Sequence, residues 1–387
     1  MWRHIASNAL TLFIVLLFLA GGAVAWATGQ YRSAGPLPQA ICFQVPSGYN
    51  MRRVGDDLAE QGAVSSTTLF RMGADYADKA DQLKAGSFLI EAEASMETII
   101  DAVTSSGQST CGTEVVYRVG VTRTTIQVRE LDPATNRYAE VASFNPAEDA
   151  VPAVYSDVKD DVDTRYRALV AEGVTSWQIV QALNGLDLLE GDADAVPPEG
   201  SLAPDSYEFA PGDRVSDILT QMTERQARIL AAAWDARDAD VPLETPEEAL
   251  VLASIVEKET SLAEERRQVA SVFVNRLNKR MKLQTDPTVI YGITEGQGVL
   301  GRGLRRSELR APTAWNTYVI PALPPTPIAN PGKAAIEAAL NPDTTEYIFF
   351  VADGTGGHAF SDNLDDHNRN VAKWREIEAE RAEQAEN

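Results

Sequence analysis

Cysteine and histidine are scarce in this chain: of 387 residues, two are Cys and three are His. His4, His358 and His367 are scattered, no Cys/His spacing suits zinc, and no HExxH occurs. The expectation is no metal and no cofactor. Basic residues are also short, 34 Lys and Arg against 56 Asp and Glu, for a net charge of −22. A nucleic-acid partner needs a basic footprint, so none is expected; the acidic charge is spread over many segments and reads as a solvated surface. Hydrophobic content of 44% excludes global disorder, and the length allows two or three domains with cores.

Long apolar runs are missing with one exception. From Ala9 to Ala27 only Thr11 is polar, enough for a span of about 20 residues. Ala25-Trp26-Ala27 also resembles a cleavage site, so a signal peptide is the rival reading. Trp26 and Tyr31 suit the outer interface. An uncleaved anchor over 9–29 is expected, with Arg3 and the amino terminus (1–8) cytoplasmic and everything after about residue 30 exported. Arg32 beyond the span keeps that charge bias slight. Cys42 and Cys111 both follow the span; an oxidising compartment permits one disulfide, while two free thiols, or a buried pair that never meets, stay open.

Residues 41–105 read as a small α+β unit. Phe43 to Gly48 is a strand running into a turn, Arg53 to Gln61 a helix closed by Gly62, Thr67 to Ala77 a second helix, Gly86 to Ile90 a strand and Met96 to Val103 a helix. A weak internal repeat accompanies it. Val45, Gly48, Val54 and Leu58 have the same offsets as Val170, Gly173, Ile179 and Leu183, and both sets say strand, turn, helix. Between them, Thr113 to Gly120 and Thr125 to Val128 alternate as strands. Pro133, Asn136, Pro146 and Pro152 then break the chain into loops, and 106–160 reads as an insertion. Ala195 to Gly212 reads as loop and Val215 to Ala236 as a helix.

The next helix carries the chemistry. In Thr245-Pro-Glu-Glu, Thr245 is an N-cap, Pro246 opens the helix and Glu248 completes a capping box. Ala249, Leu252, Ile255 and Val256 recur at helical spacing. At roughly 100° per residue, Glu259 lies about 20° from Leu252, in the apolar stripe, and Glu257 about 140° away, on the wet side. Burial without a partner raises a carboxyl pKa, and a carboxyl protonated near neutral pH can serve as a general acid. The alternative, that the helix ends and Glu259 swings to water, is open on spacing alone.

Leu262 to Leu277 reads as a further helix with Arg276 in its apolar arc, where it either finds a partner or snorkels outward. Leu283 to Tyr291 is a polar loop entering an apolar run. Leu323 to Gly332 is a proline-rich, extended wall, with Pro325 or Pro327 a candidate cis site. Lys333 to Leu340 is a helix, Tyr347 to Val351 a strand, Gly354 to Phe360 a hairpin turn bearing His358, and His367 to Glu386 an amphipathic helix fraying into an acidic tail.

Six segments taken together carry a resemblance: Ala-Ser-Ile-Val-Glu-Lys-Glu-Thr (253–260), Val-Phe-Val-Asn-Arg-Leu (272–277), Leu-Gln-Thr-Asp-Pro-Thr-Val-Ile-Tyr (283–291), Trp-Asn-Thr-Tyr (315–318), Leu-Pro-Pro-x-Pro-Ile-x-Asn-Pro-Gly (323–332) and Phe-Val-Ala-Asp-Gly-x-Gly-Gly-His-x-Phe (350–360). They resemble the YceG-like endolytic murein transglycosylases, densely over 200–375. The resemblance implies an α+β protein: an N-terminal transmembrane helix, a LysM-like α+β region over 30–235, an α+β catalytic domain over 236–375 and a tail over 376–387. It implies a lyase that cleaves the β-1,4 bond between N-acetylmuramic acid and N-acetylglucosamine within glycan strands and leaves 1,6-anhydro ends. Glu259 would be the catalytic acid. Thr260, Gln284, Tyr291, Asn316, Tyr318 and His358 would be the substrate-binding set, with Tyr291 reading more as scaffold. Trp315 stands where the family pattern has Tyr. The implied setting is the inner membrane with the catalytic part in the periplasm, the implied partners glycan strands and peptidoglycan synthases. A hydrolase using a second acid, Asp205 or Asp286, and a tethered glycan-binding scaffold without turnover are the rivals.

Overall fold

The computed structural model describes residues 2–105, 109–161 and 163–386, without the side chains of 2–9 and 384–386. The side chain of Arg3, on which the expected orientation of the span rests, and residues 106–108 of the expected insertion lie outside that description. The protein is α+β. It opens with α1 (Trp2–Arg32), whose segment Leu10–Arg32 is long and apolar enough to cross a membrane and whose apolar window has no buried residue. That exposed apolar surface fits a membrane anchor.

Two compact units follow from how the chain contacts itself. The first comprises 1–116, 127–144 and 148–166; the second comprises 117–126, 145–147 and 167–387. The division falls near residue 166 and differs from the expected boundary at 235/236.

The first unit contains β1 (Ile41–Val45), α2 (Met51–Glu60), α3 (Thr67–Tyr76), β2 (Gly86–Ile90) and α4 (Met96–Ser105). β1 and β2 pair antiparallel with Phe43 opposite Phe88 and Val45 opposite Gly86. The strand period of two turns Phe43 and Val45 inward, against Val54, Leu58, Phe70, Ile99 and Ile100. Cys42 points to the other face and is disulfide-bonded to Cys111, with Cα atoms 5.5 Å apart; this settles the question left open by the sequence.

Then come β3 (Thr113–Val119), β4 (Thr124–Asp132), β5 (Arg137–Phe144), α5 (Ala153–Val158), β6 (Arg165–Val170), α6 (Ser176–Asn184) and β7 (Ser206–Phe209). Five of these strands form one sheet in the order β5-β4-β3-β6-β7. The stretch read as an insertion therefore supplies sheet strands. β5 went unread because Pro133 and Asn136 run directly into a solvent-facing strand with little apolar alternation: only Phe144 in it is buried. The short β7 was hidden in a Pro/Gly-rich segment.

The repeat holds at the level of local structure. β1 and α2, and β6 and α6, each make strand, turn and helix. Gly48 and Gly173 occupy left-handed backbone at φ +82° and +77°, which favours glycine. A fifth equivalent position emerges: Asn50 caps α2 by accepting the Arg53 N–H, and Thr175 caps α6 by accepting the Gln178 N–H.

The second unit continues with α7 (Val215–Asp235), α8 (Pro246–Glu259), α9 (Arg266–Asn278), α10 (Asp286–Thr294), a 3-10 turn at Glu308–Arg310, α11 (Lys333–Leu340), β8 (Phe349–Ala352), β9 (His358–Ser361) and α12 (Leu364–Glu386). Its core is α8 with residues of α7, α9 and α11 packed around it. Thr245 caps α8 as expected, accepting the Glu248 N–H at 3.2 Å, but Glu248 reaches the Glu244 N–H rather than that of the cap. α8 is not the one-sided helix that its stripe suggested. Val251 to Val256 are six consecutive buried residues, as in a helix at the centre of a core. Pro325 and Pro327 are both trans.

Candidate active site

Glu259 is the last residue of α8. Thr260 leaves the helix in extended conformation (φ −143°, ψ 134°), so the carboxyl stands where the core helix meets the surface, and it is only partly exposed. The Thr285 hydroxyl donates to its Oε1. Thr285 is held in turn: its N–H donates to Thr317 Oγ1 at 3.0 Å, its carbonyl accepts the Thr288 hydroxyl at 2.7 Å, and the Thr288 and Thr317 hydroxyls are 2.9 Å apart. The segment before it is gripped by Arg276, which is buried. Its Nε donates to Ile348 O at 2.6 Å and its Nη1 to Leu283 O at 2.7 Å and Lys282 O at 3.3 Å. Arg276 thus has partners and does not snorkel; they are carbonyls, which need no buried counter-charge.

Burial raises the Glu259 pKa above 4.5. The Thr285 hydrogen bond opposes this, Asp286 adds to it, and His358 and Arg276 oppose it in turn. The result is a carboxyl displaced toward its neutral form and facing both signs of charge. Glu257, expected on the wet side, is partly buried as well, because α11 packs on that face of α8. Its Oε2 accepts the Gly332 N–H at 3.0 Å, at the start of α11, and burial, then the charge of Glu172, raises its pKa.

The six expected substrate residues fall into different places. Gln284 is exposed beside Thr285, in left-handed backbone at φ +53°, a conformation that costs a non-glycine residue of order 1 kcal/mol or more and clusters at functional sites. Tyr318 donates its hydroxyl to Asp286 Oδ1 at 2.7 Å, which places it at the same mouth. His358 is fixed by Glu265: the carboxylate accepts the His358 N–H at 2.9 Å and meets ring Nδ1 at 2.8 Å. The approach requires Gly357, where a Cβ would lie 2.4 Å from Glu265 Oε1. His358 also lies near enough to Glu259 to oppose the rise in its pKa.

The other three are braces. Thr260 is buried and its hydroxyl accepts the Leu262 N–H at 3.1 Å; the hydroxyl that supports Glu259 belongs to Thr285. Asn316 is fully buried, its Nδ2 donating to Ala311 O at 2.7 Å and to Glu308 O and Leu309 O, and its Oδ1 accepting the Tyr318 N–H. It shapes the loop that presents Tyr318. Tyr291 packs on Trp315 and donates to Glu199 Oε2 at 3.3 Å, the scaffold reading. Of the candidate second acids, Asp205 is ion-paired with Arg225 and accepts the Ser206 N–H, whereas Asp286 is exposed at the mouth.

Glu265 and Thr285 had not been singled out. Thr285 had a legible signal, a Thr preceding Asp-Pro at a helix start. Glu265 had none.

The YceG-like family model matches residues 43–373, which takes in every residue named in this site. The chain belongs to the YceG-like family. Among relatives of this YceG-like chain, an endolytic murein transglycosylase of Streptococcus pneumoniae serotype 2 (strain D39) is 25% identical over 382 residues, 96% of this chain and 65% of its own length. One of Bacillus subtilis (strain 168) is 36% identical over 181 residues, 46% of this chain and 48% of its own. The chain therefore spans less than two thirds of the length of either relative. A crystal structure of a yceG-like protein from Listeria monocytogenes aligns over 86% of this chain and 99% of that one at 22% identity, with a TM-score of 0.44.

Proposed function

We propose that this chain is an endolytic murein transglycosylase, a lyase, held in the inner membrane by α1 with its remaining residues in the periplasm. It cuts the N-acetylmuramic acid–N-acetylglucosamine β-1,4 bond within glycan strands that synthases polymerise at the same membrane. Glu259, as the acid, gives its proton to the departing glycosidic oxygen. The 6-hydroxyl of the muramic acid then closes on the anomeric carbon and returns its proton to the same carboxylate, leaving a 1,6-anhydro end without consuming water. A single carboxyl is acid in one half and base in the other. The observation that carries this reading is Glu259 itself: burial favours its proton, while the Thr285 hydroxyl and the Arg276 guanidinium steady the anion left when it is given up.

Asp286 favours a second reading, hydrolysis by a pair of carboxyl groups, since it is exposed at the mouth and its charge reaches Glu259. Mass spectrometry of products from purified peptidoglycan separates the two. Ends one water lighter than reducing ends are expected; reducing ends alone would establish hydrolysis, and uncut strands after long incubation a glycan-binding scaffold.

A further inference from the structure

Lys258 precedes the proposed acid and turns the other way, into a cavity of about 330 Å³ that it lines with Thr175, Pro287, Tyr291, Val299 and Arg302. Pro287 and Tyr291 belong to α10, the helix that begins with Asp286 at the mouth, so the cavity adjoins the proposed site. Most polar groups around it are engaged. The Thr175 hydroxyl donates to Gly296 O at 2.6 Å, Tyr291 to Glu199, and Arg302 is bound bidentately by Glu308.

Lys258 is different. Its ammonium has three N–H donors and, among the described residues, one hydrogen bond, a long one of 3.2 Å to Gly173 O. The two carboxylates whose charges reach it, Glu257 and Glu199, are turned to other donors: Glu257 to the Gly332 N–H, and Glu199 to the Ser176 N–H, the Asn330 amide and Tyr291. A partly buried cation with unspent donors on an open cavity is arranged for an anionic oxygen. Val299, at 55% exposure, adds an apolar contact to the same wall.

We propose that this cavity takes a carboxylate carried by the glycan strand, with Lys258 as its recognition residue, and so sets the register in which the strand meets Glu259. The inference rests on the transglycosylase reading for its substrate. Two carboxylates of that polymer share the chemistry: those of the stem peptide, and the lactyl carboxylate exposed when the peptide is removed.

The test uses the full chain in detergent, as Lys258→Met and Lys258→Arg, with three substrates: peptide-bearing uncrosslinked strands, strands stripped of peptide, and peptide-bearing strands with their carboxylates converted to amides. Lys258→Met is expected to raise KM about tenfold on a carboxylate-bearing strand while kcat stays within about twofold. Lys258→Arg should lie near wild type, and on amidated strands all three proteins should match. Dependence on the peptide-bearing or on the stripped strand supports the inference and identifies which carboxylate is bound. Equal losses on native and amidated strands, or no loss at all, overturn it. Strand binding is measured separately with Glu259→Gln, alone and combined with Lys258→Met. Carboxylate-dependent binding through Lys258 by a protein without turnover would sink the lyase reading and leave this inference standing.

Discussion

Arg276 is where stability and chemistry meet in one side chain, and Arg276→Met tests both. The methionine keeps much of the stem and removes the donors. Ile348 O and Leu283 O then lose charge-assisted bonds of 2.6 and 2.7 Å, and Lys282 O a weaker one. Leaving one buried carbonyl and one part-buried carbonyl unsatisfied costs up to about 1–3 kcal/mol each. Part of that is offset because the variant no longer desolvates a guanidinium, so a net destabilisation of about 2 kcal/mol is expected. Denaturant unfolding of the full chain in detergent, read as the midpoint shift of the second unit, measures it. The same change acts on Glu259. Arg276 holds the carboxyl pKa down, so its loss drives the pKa further up and the acid form survives to higher pH. The alkaline limb of kcat/KM should move upward, while kcat falls because Thr285, anchored two residues after Leu283, loses its hold. Arg276→Lys keeps the charge but not the fork, so it should restore the limb more than the stability. A variant as stable as wild type, with an unmoved alkaline limb, would refute this account.

Glu259→Gln should lower the rate by at least about 10²-fold with the fold intact, and Glu257→Gln should lower it far less; equal losses from the two in a strand-cleavage assay would break the assignment. Cys42→Ser with Cys111→Ser opens a loop with a sequence separation of 69 and should destabilise the first unit by about 4 kcal/mol, seen by denaturant unfolding without reductant. The buried glutamates give the pH dependence of stability a definite sign. Glu199, Glu257 and Glu259 are all raised above 4.5 by burial. The folded state therefore holds protons that the unfolded chain has released, and their contribution is full below pH 4.5 and lost as pH rises through the folded values. Thermal unfolding of the second unit should come earlier at pH 8 than at pH 5, and Glu199→Gln should flatten the difference. Glu308, drawn down to about 2 by Arg302, acts below that window, whereas His367, lowered below 6.5 by burial, acts inside it with the opposite sign; a profile that still rises from pH 5 to 8 in a His367→Asn background would contradict the assignment.

Much of this architecture was legible because local chemistry and tertiary fold agree. Pro246 at a helix start, Gly48 and Gly173 at left-handed turns, and the inward Val45, Val54, Leu58 set with its counterpart Val170, Ile179, Leu183 are local signals that packing reinforces. Where they conflict, the sequence misleads. The stripe on α8 singled out Glu259, yet α8 is buried on every side, so the argument that put Glu257 in water failed: a one-sided pattern cannot report a second packing partner, here α11. Thr260 and Asn316 look like site residues by position in their motifs, but their polar atoms go to Leu262 N–H and to loop carbonyls. Glu265 was invisible because its role depends on a hairpin 93 residues away, brought to it only in the folded chain.

The position of the proposed acid at the very end of a core helix has a physical rationale. A carboxyl in the middle of α8 would be sealed from any substrate, and one a turn beyond it would be solvated and ionised. At the last residue, burial is incomplete enough to leave the carboxyl reachable and complete enough to disfavour charge. The helix end adds a further push, because the unpaired carbonyls of the last turn carry partial negative charge that opposes a carboxylate there. Burial, the helix terminus and Asp286 thus favour the neutral acid, while the Thr285 hydroxyl, His358 and Arg276 favour the anion. The proposed role, giving up a proton and taking one back in a single turnover, needs both sets near balance. Removing one member from either set should shift the pH optimum before it abolishes cleavage. Removing Thr285 with Thr285→Val should do so in the same direction as Arg276→Met, since both withdraw support from the anion.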